Sequence, residues 1–233
     1  EAAERTISIV YPKGKNLTPE LADEIAKNFS IFEKSLYSYD YDSDVYGYKA
    51  YIDVQSFVDY FLINEFTVNY DAGGRSTFMY RDLGNRYKMC IWDFNACCGN
   101  YIRDVSDKTF FLTERTWFSK LATDEAFTQT VIDRYRDLRK TYFSDEYLSN
   151  YIDQTIAYLG PAVDRNFEKW GYTFDKDFEM LYPKDRNHIS YDDAVMQYKN
   201  FMIQRGAWLD ENIETLKSYS AESAVKQYTH EMR

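Results

Sequence analysis

The run DVQSFVDYFLINEFTVNYDAGGRSTFMYRD, residues 53–82, changes its hydrophobic period part-way along. From Val54 onward Phe57, Val58, Phe61, Leu62 and Phe66 recur at i, i+3, i+4 and i+7, which predicts a helix capped by Asp53 and ending near Asn69. From Ser76 the pattern alternates. After Leu83-Gly84-Asn85-Arg86 it alternates again through YKMCIWDFN, residues 87–95, so a hairpin turning at Gly84-Asn85 is expected. Strict alternation would carry Cys90, Trp92 and Phe94 on one face and Ile91, Asp93 and Asn95 on the other. A helix feeding directly into one hairpin, inside a chain otherwise patterned for helices, gives the fold class: α+β, mostly helical, with a central β-hairpin.

Upstream, TISIVY (6–11) alternates and is β-branched, predicting a short strand closed by Pro12, Gly14 and Asn16. Thr18 is a good N-cap and Pro19 suits the first helical position, so Leu21, Ile25, Phe29, Phe32 and Leu36 mark a helix. The tract Tyr37 to Tyr51, crowded with Tyr, Asp and Ser, reads as a loop. Downstream of Thr113 the pattern is helical. One stripe is Phe127, Val131, Tyr135, Leu138 and Tyr142; the next is Tyr147, Leu148, Tyr151, Ile152, Ile156 and Leu159. A third helix past Gly160-Pro161 carries Val163, Phe167 and Trp170 and stops at Gly171. Residues 172–189 read as a surface loop, and Ser190 with Asp193 as a capping box for a last long helix from Val195 to Leu216. The expected organisation is one domain over residues 1–220 and a frayed tail over 221–233.

Composition narrows the function classes. Of 233 residues, 45% are hydrophobic and 28% charged, enough for one sizeable core. With 28 Lys and Arg against 38 Asp and Glu the net charge is −10, which argues against nucleic acid as a partner, since phosphate-backbone binding needs a basic face. No apolar run approaches the roughly 18 residues of a membrane-spanning helix. Three cysteines and two histidines (His188, His230) give neither a disulfide framework nor zinc spacing, and Cys97 and Cys98 are expected to be buried as small hydrophobes. The 23 Tyr, 16 Phe and 4 Trp are spread along the chain, so core and rim packing is the expected use of the rings.

Polar residues that patterning does not require concentrate between Asn64 and Asn100. Asp93 and Asn95 offer two oxygen donors of the kind that suits a hard cation such as Mg²⁺; an isolated D-x-N also closes turns. Asn69 and Asp71 lie just past the predicted helix end, followed by Gly73, Gly74 and Arg75, where a plain C-cap and Asx-turn is the alternative. A hairpin that leaves after Asp71 and returns to Asp93 can bring both carboxylates to one end of the sheet. Such a pair could serve phosphoryl transfer or glycoside hydrolysis. Arg75 could present its fork to a phosphate or form an ion pair with Asp82 or Glu65.

Taken in order, these pieces resemble the CotH kinase family, named for spore coat protein H: an apolar helix leading into N-x-D at Asn69–Asp71, a strand ending at Tyr80-Arg81-Asp82, then W-D-x-N at Trp92–Asn95 and a following Gly99-Asn100. RTWFSKLATDEAFTQTVIDRYRDLR (115–139), NFEKW (166–170) and FMIQRGAWL (201–209) are similar to the family's helical second half, so the resemblance runs roughly from Ile7 to Leu216. It implies a divergent protein-kinase-like fold, with this chain as the large carboxyl-terminal lobe. It also implies a kinase that uses ATP with Mg²⁺ or Mn²⁺ to phosphorylate Ser in protein substrates, coat or surface proteins among them.

By that resemblance Asp71 matches the catalytic aspartate and Asp93 the metal-binding aspartate; Asn95 helps hold the metal. Asn69 shapes the nucleotide-site loop, and Arg75 is a candidate phosphate contact. Two departures stand out. Cys97-Cys98 replace the aromatic and small residue usual before G-N, and nothing in residues 1–50 matches the family's R-G-x-S and Lys pattern for the nucleotide phosphates. Lys13 and Lys15 read as solvated turn lysines. An upstream phosphate-binding lobe is therefore an expected partner, and the setting implied is a spore coat or a secreted or cell-surface protein. The alternative is a pseudokinase or binding module that uses loop 37–51 as its contact surface.

Overall fold

The computed structural model describes residues 7–222, and the expected frayed tail lies outside the described residues from 223 onward. Its architecture is helical around one hairpin: α1 (Pro19–Leu36), α2 (Val54–Thr67), β1 (Phe78–Tyr80), β2 (Lys88–Cys90), α3 (Thr116–Leu121), α4 (Glu125–Arg139), α5 (Asp145–Leu159), α6 (Ala162–Trp170) and α7 (Tyr191–Asn212). Short 3₁₀ turns cover residues 48–50, 112–114 and 213–219 among the connections. No described helix is long and apolar enough to cross a membrane.

Helix α2 is the axis. Asp53 caps it by accepting from the Ser56 N–H at 3.0 Å, as its position in the sequence predicts. Its apolar and aromatic residues do not make a single stripe: Phe57, Val58, Tyr60, Phe61, Leu62 and Phe66 are buried on several sides, the condition of a helix enclosed by its neighbours. Helix α4 lies along one side, with Phe127, Val131, Ile132 and Tyr135 buried, and the hairpin and α7 cover others. The core is largely aromatic. Phe118 of α3 stands 5.4–6.0 Å, ring to ring, from Tyr60, Phe57 and Phe61, so three residues on one face of α2, at i, i+3 and i+4, grip a single ring.

Capping explains most of the other boundaries. Thr18 accepts from Leu21 N–H with Pro19 behind it, Ser144 caps α5, and Ser190 accepts from Asp193 N–H at the head of α7. Asp124 caps α4 through Ala126 N–H at 2.8 Å while its other oxygen accepts from the buried Tyr48 hydroxyl at 2.7 Å. One side chain thus starts a helix and fixes the Tyr-rich tract 37–51, which is a run of turns as expected. The predicted stripes of α5 and α6 have a peripheral place: Leu148 and Ile152 pack at the edge of the core, whereas Tyr151 and Trp170 face solvent.

Two expectations need correction. The part of 6–11 that is described forms no strand, and Ile7, Val10 and Tyr11 are exposed. β-branched residues prefer a pleated, half-buried surface, and here no neighbouring strand supplies one. The hairpin exists, antiparallel with Phe78 opposite Cys90, Met79 opposite Met89 and Tyr80 opposite Lys88, but each strand has only three residues. The alternation predicted through Asn95 fails because β2 ends at Cys90 and Asp93 adopts φ +59°, which turns the chain. Trp92, Asp93 and Asn95 are all exposed, and Phe94 packs against the core.

Candidate active site

Helix α2 does not end on a glycine. Val68 is its left-handed C-cap at φ 47° and ψ 54°, a costly conformation for a β-branched residue, and its N–H reaches the carbonyls of Asn64 and Glu65. Such strain persists only where surrounding contacts over-determine it. The contacts here are a zipper between the loop after α2 and the loop after β2. Cys98 N–H donates to Thr67 C=O at 2.7 Å, Tyr70 N–H to Ala96 C=O at 3.3 Å, and the Asn69 side-chain amide to Asp93 C=O at 3.3 Å.

The two loops are therefore one unit. Asn69 is buried, and its amide also donates to the buried Asn64 side chain at 3.0 Å; its own Oδ1 is a buried polar atom without a partner. On the other side of Asp71, Ser76 takes φ +44° and donates its hydroxyl to Asp93 Oδ2 at 3.0 Å. Asp71 thus sits in a loop whose two flanks, Asn69 and Ser76, both hold Asp93. Its backbone carbonyl accepts from Gly74 and Arg75, which closes a tight turn. Half-buried Asp71 and exposed Asp93 form no ion pair among the described residues. Asn95 is exposed one residue beyond Phe94, and its carbonyl is held by the Asn100 side chain at 2.8 Å.

The structure thus ties the loop that carries Asn69 and Asp71 to Asp93 at the end of the hairpin, with Asn69 buried, Asp71 half-buried, and Asp93 and Asn95 exposed. Arg75 is exposed on the same turn and makes neither of the ion pairs considered for it. Glu65 is instead enclosed with Arg205, 3.0 Å apart and both almost wholly buried. Burial pushes the Glu65 carboxyl up to about 7, with the Arg205 charge pulling back. Arg205 also donates to the carbonyls of Glu65, Asp107 and Thr109, and Leu112 N–H donates to Glu65 Oε1 at 2.7 Å. This hub ties segment 107–112 to α2 and α7. Cys97 and Cys98 are buried and unbridged, the packing expected of them. Arg186 and Gln197 hold the carbonyls of Gly99 and Cys98 from the other side.

Several residues of the site were not legible in the sequence. Asn64 interrupts an apolar face, a signal available in principle, and its partner is Asn69. Ser76 and Asp93 meet only because the hairpin closes. Arg115, the residue before α3, lies with its guanidinium 4.8 Å over the Tyr70 ring, and Thr116 donates to Gly73 C=O at 2.6 Å.

The donor set bears on whether a cation fits. Among the described residues no cluster of three or more His, Cys, Asp and Glu could hold a metal ion. Asp93 offers one exposed carboxylate that the Ser76 hydroxyl holds, and Asn95 is exposed two residues on. Mg²⁺ or Mn²⁺ shared with substrate phosphates binds through one or two carboxylates and needs no all-protein cage, so the absence of such a cage among the described residues does not bar a cation at Asp93.

Comparison with curated proteins and with solved structures returned no match. The family model described as CotH kinase protein matches residues 7–209, most of the chain, including the hairpin, both loops and the helices that carry Arg115 and Arg205. The chain belongs to the CotH kinase protein family.

Proposed function

We propose that the Asp71–Asp93 cluster transfers the γ-phosphate of ATP to serine hydroxyls of protein substrates. The observation that carries the reading is the double tether: Asn69 and Ser76, on either side of Asp71, both hydrogen-bond to Asp93, so the loop that carries Asp71 is fixed against the exposed Asp93. Two carboxylates alone would serve glycoside hydrolysis as well, and family membership favours phosphotransfer.

In this reading Asp71 orients the serine hydroxyl and accepts its proton as the new O–P bond forms and the bond to ADP breaks. Asp93 and Asn95 are the residues that would hold a divalent cation, which offsets the charge of the ATP phosphates. Asn69 fixes the Asp93 carbonyl, and Ser76 fixes the carboxylate rotamer. Catalysis of this kind is mostly placement and electrostatics, so rigid loops matter more than a reactive nucleophile. The exposed Asp93 implies a covering element for the nucleotide; an upstream lobe is that element in this proposal. Spore-coat or surface proteins are the acceptors the family name suggests.

The test is transfer of labelled γ-phosphate from ATP to a serine-bearing protein by the full-length protein, with Mg²⁺ or Mn²⁺. Wild type should transfer, and Asp71→Asn and Asp93→Asn should each lose about a hundredfold or more. Equal activity in either variant refutes its assigned role. A folded wild type that neither binds ATP nor transfers phosphate leaves a binding module.

A further inference from the structure

We propose that Arg115 is the oxyanion-binding residue of the Asp71 loop, gripping phosphate oxygens beside the catalytic aspartate; its assignment to the nucleotide rests on the phosphotransfer reading above. The argument starts from the space the loop leaves. A Cβ on Gly73, at φ +73°, would lie 2.8 Å from the Arg115 Cβ and 2.8 Å from Leu112 Cδ2. A Cβ on Gly74 would lie 3.3 Å from Arg115 Nη1 and 4.0 Å from the Asp71 carbonyl oxygen. Two consecutive glycines therefore admit this arginine along its length, and its head reaches the turn that Asp71 closes. Thr116, at φ +30°, fixes the approach through its 2.6 Å bond to Gly73 C=O.

The head group is held against an aromatic ring. The guanidinium lies 4.8 Å over the ring of Tyr70, the residue between Asn69 and Asp71, and that ring also packs on Tyr101 at 4.7 Å. A cation–π contact is not a hydrogen bond and leaves the guanidinium N–H donors for ligands. No carboxylate among the described residues pairs with Arg115, in a chain with ten more acidic than basic residues. Several other arginines are paired, Arg134 with Asp59, Arg136 with Glu214, Arg139 with Asp145 and Asp210, and Arg205 with Glu65, whereas among the described residues Arg115, like Arg75 of the Asp71 loop, is not. A preorganised fork without a counterion, beside a carboxylate that it does not touch, suits a planar bidentate grip on a tetrahedral oxyanion. The oxyanion is either the terminal phosphate of the nucleotide or a phosphate already carried by the acceptor.

The experiment titrates the full-length protein with tripolyphosphate in the absence of metal, following binding by calorimetry and the arginine Nε–H resonances by NMR. The resonance lost in Arg115→Lys identifies Arg115, and tripolyphosphate should move it in wild type. Arg115→Gln should weaken binding about tenfold or more, and Arg115→Lys, which keeps charge without the fork, should weaken it about threefold or more. ATP and a phosphoserine peptide, run as separate arms, assign the phosphate to nucleotide or acceptor. A wild type that does not bind tripolyphosphate, an Arg115 resonance that does not move, or an Arg115→Gln variant within about twofold of wild type overturns the inference. Thermal unfolding shows whether Arg115→Gln is folded; should it not be, Arg115→Lys and the wild-type resonance decide. Arg115-dependent binding in a protein that transfers no phosphate would leave the anion site standing and remove the kinase reading. Transfer by a protein whose Arg115 ignores tripolyphosphate would do the reverse.

Discussion

Two charged centres lie within a few residues of each other on the same stretch of chain, and they are built on opposite terms. At Glu65 every donor and acceptor is matched: Arg205 and Leu112 N–H meet the carboxylate, three carbonyls meet the rest of the guanidinium, and nothing is exposed. One turn further on, among the described residues, Asp71 and Arg75 carry charges with no ion-pair partner and Asn69 keeps an unsatisfied buried oxygen, while Val68, Ser76 and Asp93 adopt left-handed backbone. The first arrangement holds segments together. The second accepts local cost and leaves its charges available, which is how a site that binds an external ligand differs from a structural one.

The largest effect should come from breaking the closed centre. Arg205→Met leaves Glu65 buried without its cation and three carbonyls without their donor, so unfolding stability should fall by about 3–5 kcal/mol, read by urea denaturation. The same centre has a pH signature. Burial holds Glu65 at about 7, above its ordinary 4.5, so between those values the folded chain binds a proton that the unfolded chain has released. Stability contributed by Glu65 is therefore fully present below about 4.5 and is lost as pH rises through about 7. Measured against Glu65→Gln, wild type should lose ground across that window; a constant difference would contradict the assignment. Asn69→Ala, at the join between the two centres, removes the donor to Asn64 and to the Asp93 carbonyl together with the orphaned oxygen. A loss of about 1–2 kcal/mol is expected, with weaker metal-dependent nucleotide binding. The smallest effect on stability belongs to the open centre: Asp71→Asn and Asp93→Asn should unfold within about 0.5 kcal/mol of wild type.

What was legible in the sequence divides along the same line. Helix α2 was readable because its cap, period and length all agree, and the hairpin because its turn residues sit between two alternating runs. Asp71 and Asp93 could be named as a pair from their order along the chain. Their tethers could not, because Ser76 to Asp93 and Asn69 to Asp93 are contacts that exist only after the hairpin closes. The alternation through Asn95 misled for the same reason: the pull of Asn69 and the left-handed Asp93 override a local preference. Arg115 belongs to a helix start more than forty residues from Asp71, and only the fold lays it over Tyr70. The strand expected at 6–11 had the composition, but its described residues 7–11 find no partner strand among the described residues.

The most direct test of the contrast is Mn²⁺ binding in the presence of ATP, followed by electron paramagnetic resonance on full-length wild type and Asp93→Asn, with thermal unfolding of both in the absence of ligand. The account predicts a bound Mn²⁺ signal in wild type, its loss in Asp93→Asn, and coincident unfolding curves. An Asp93→Asn variant that binds Mn²⁺ and ATP as wild type does, or that unfolds as early as Arg205→Met, would contradict it.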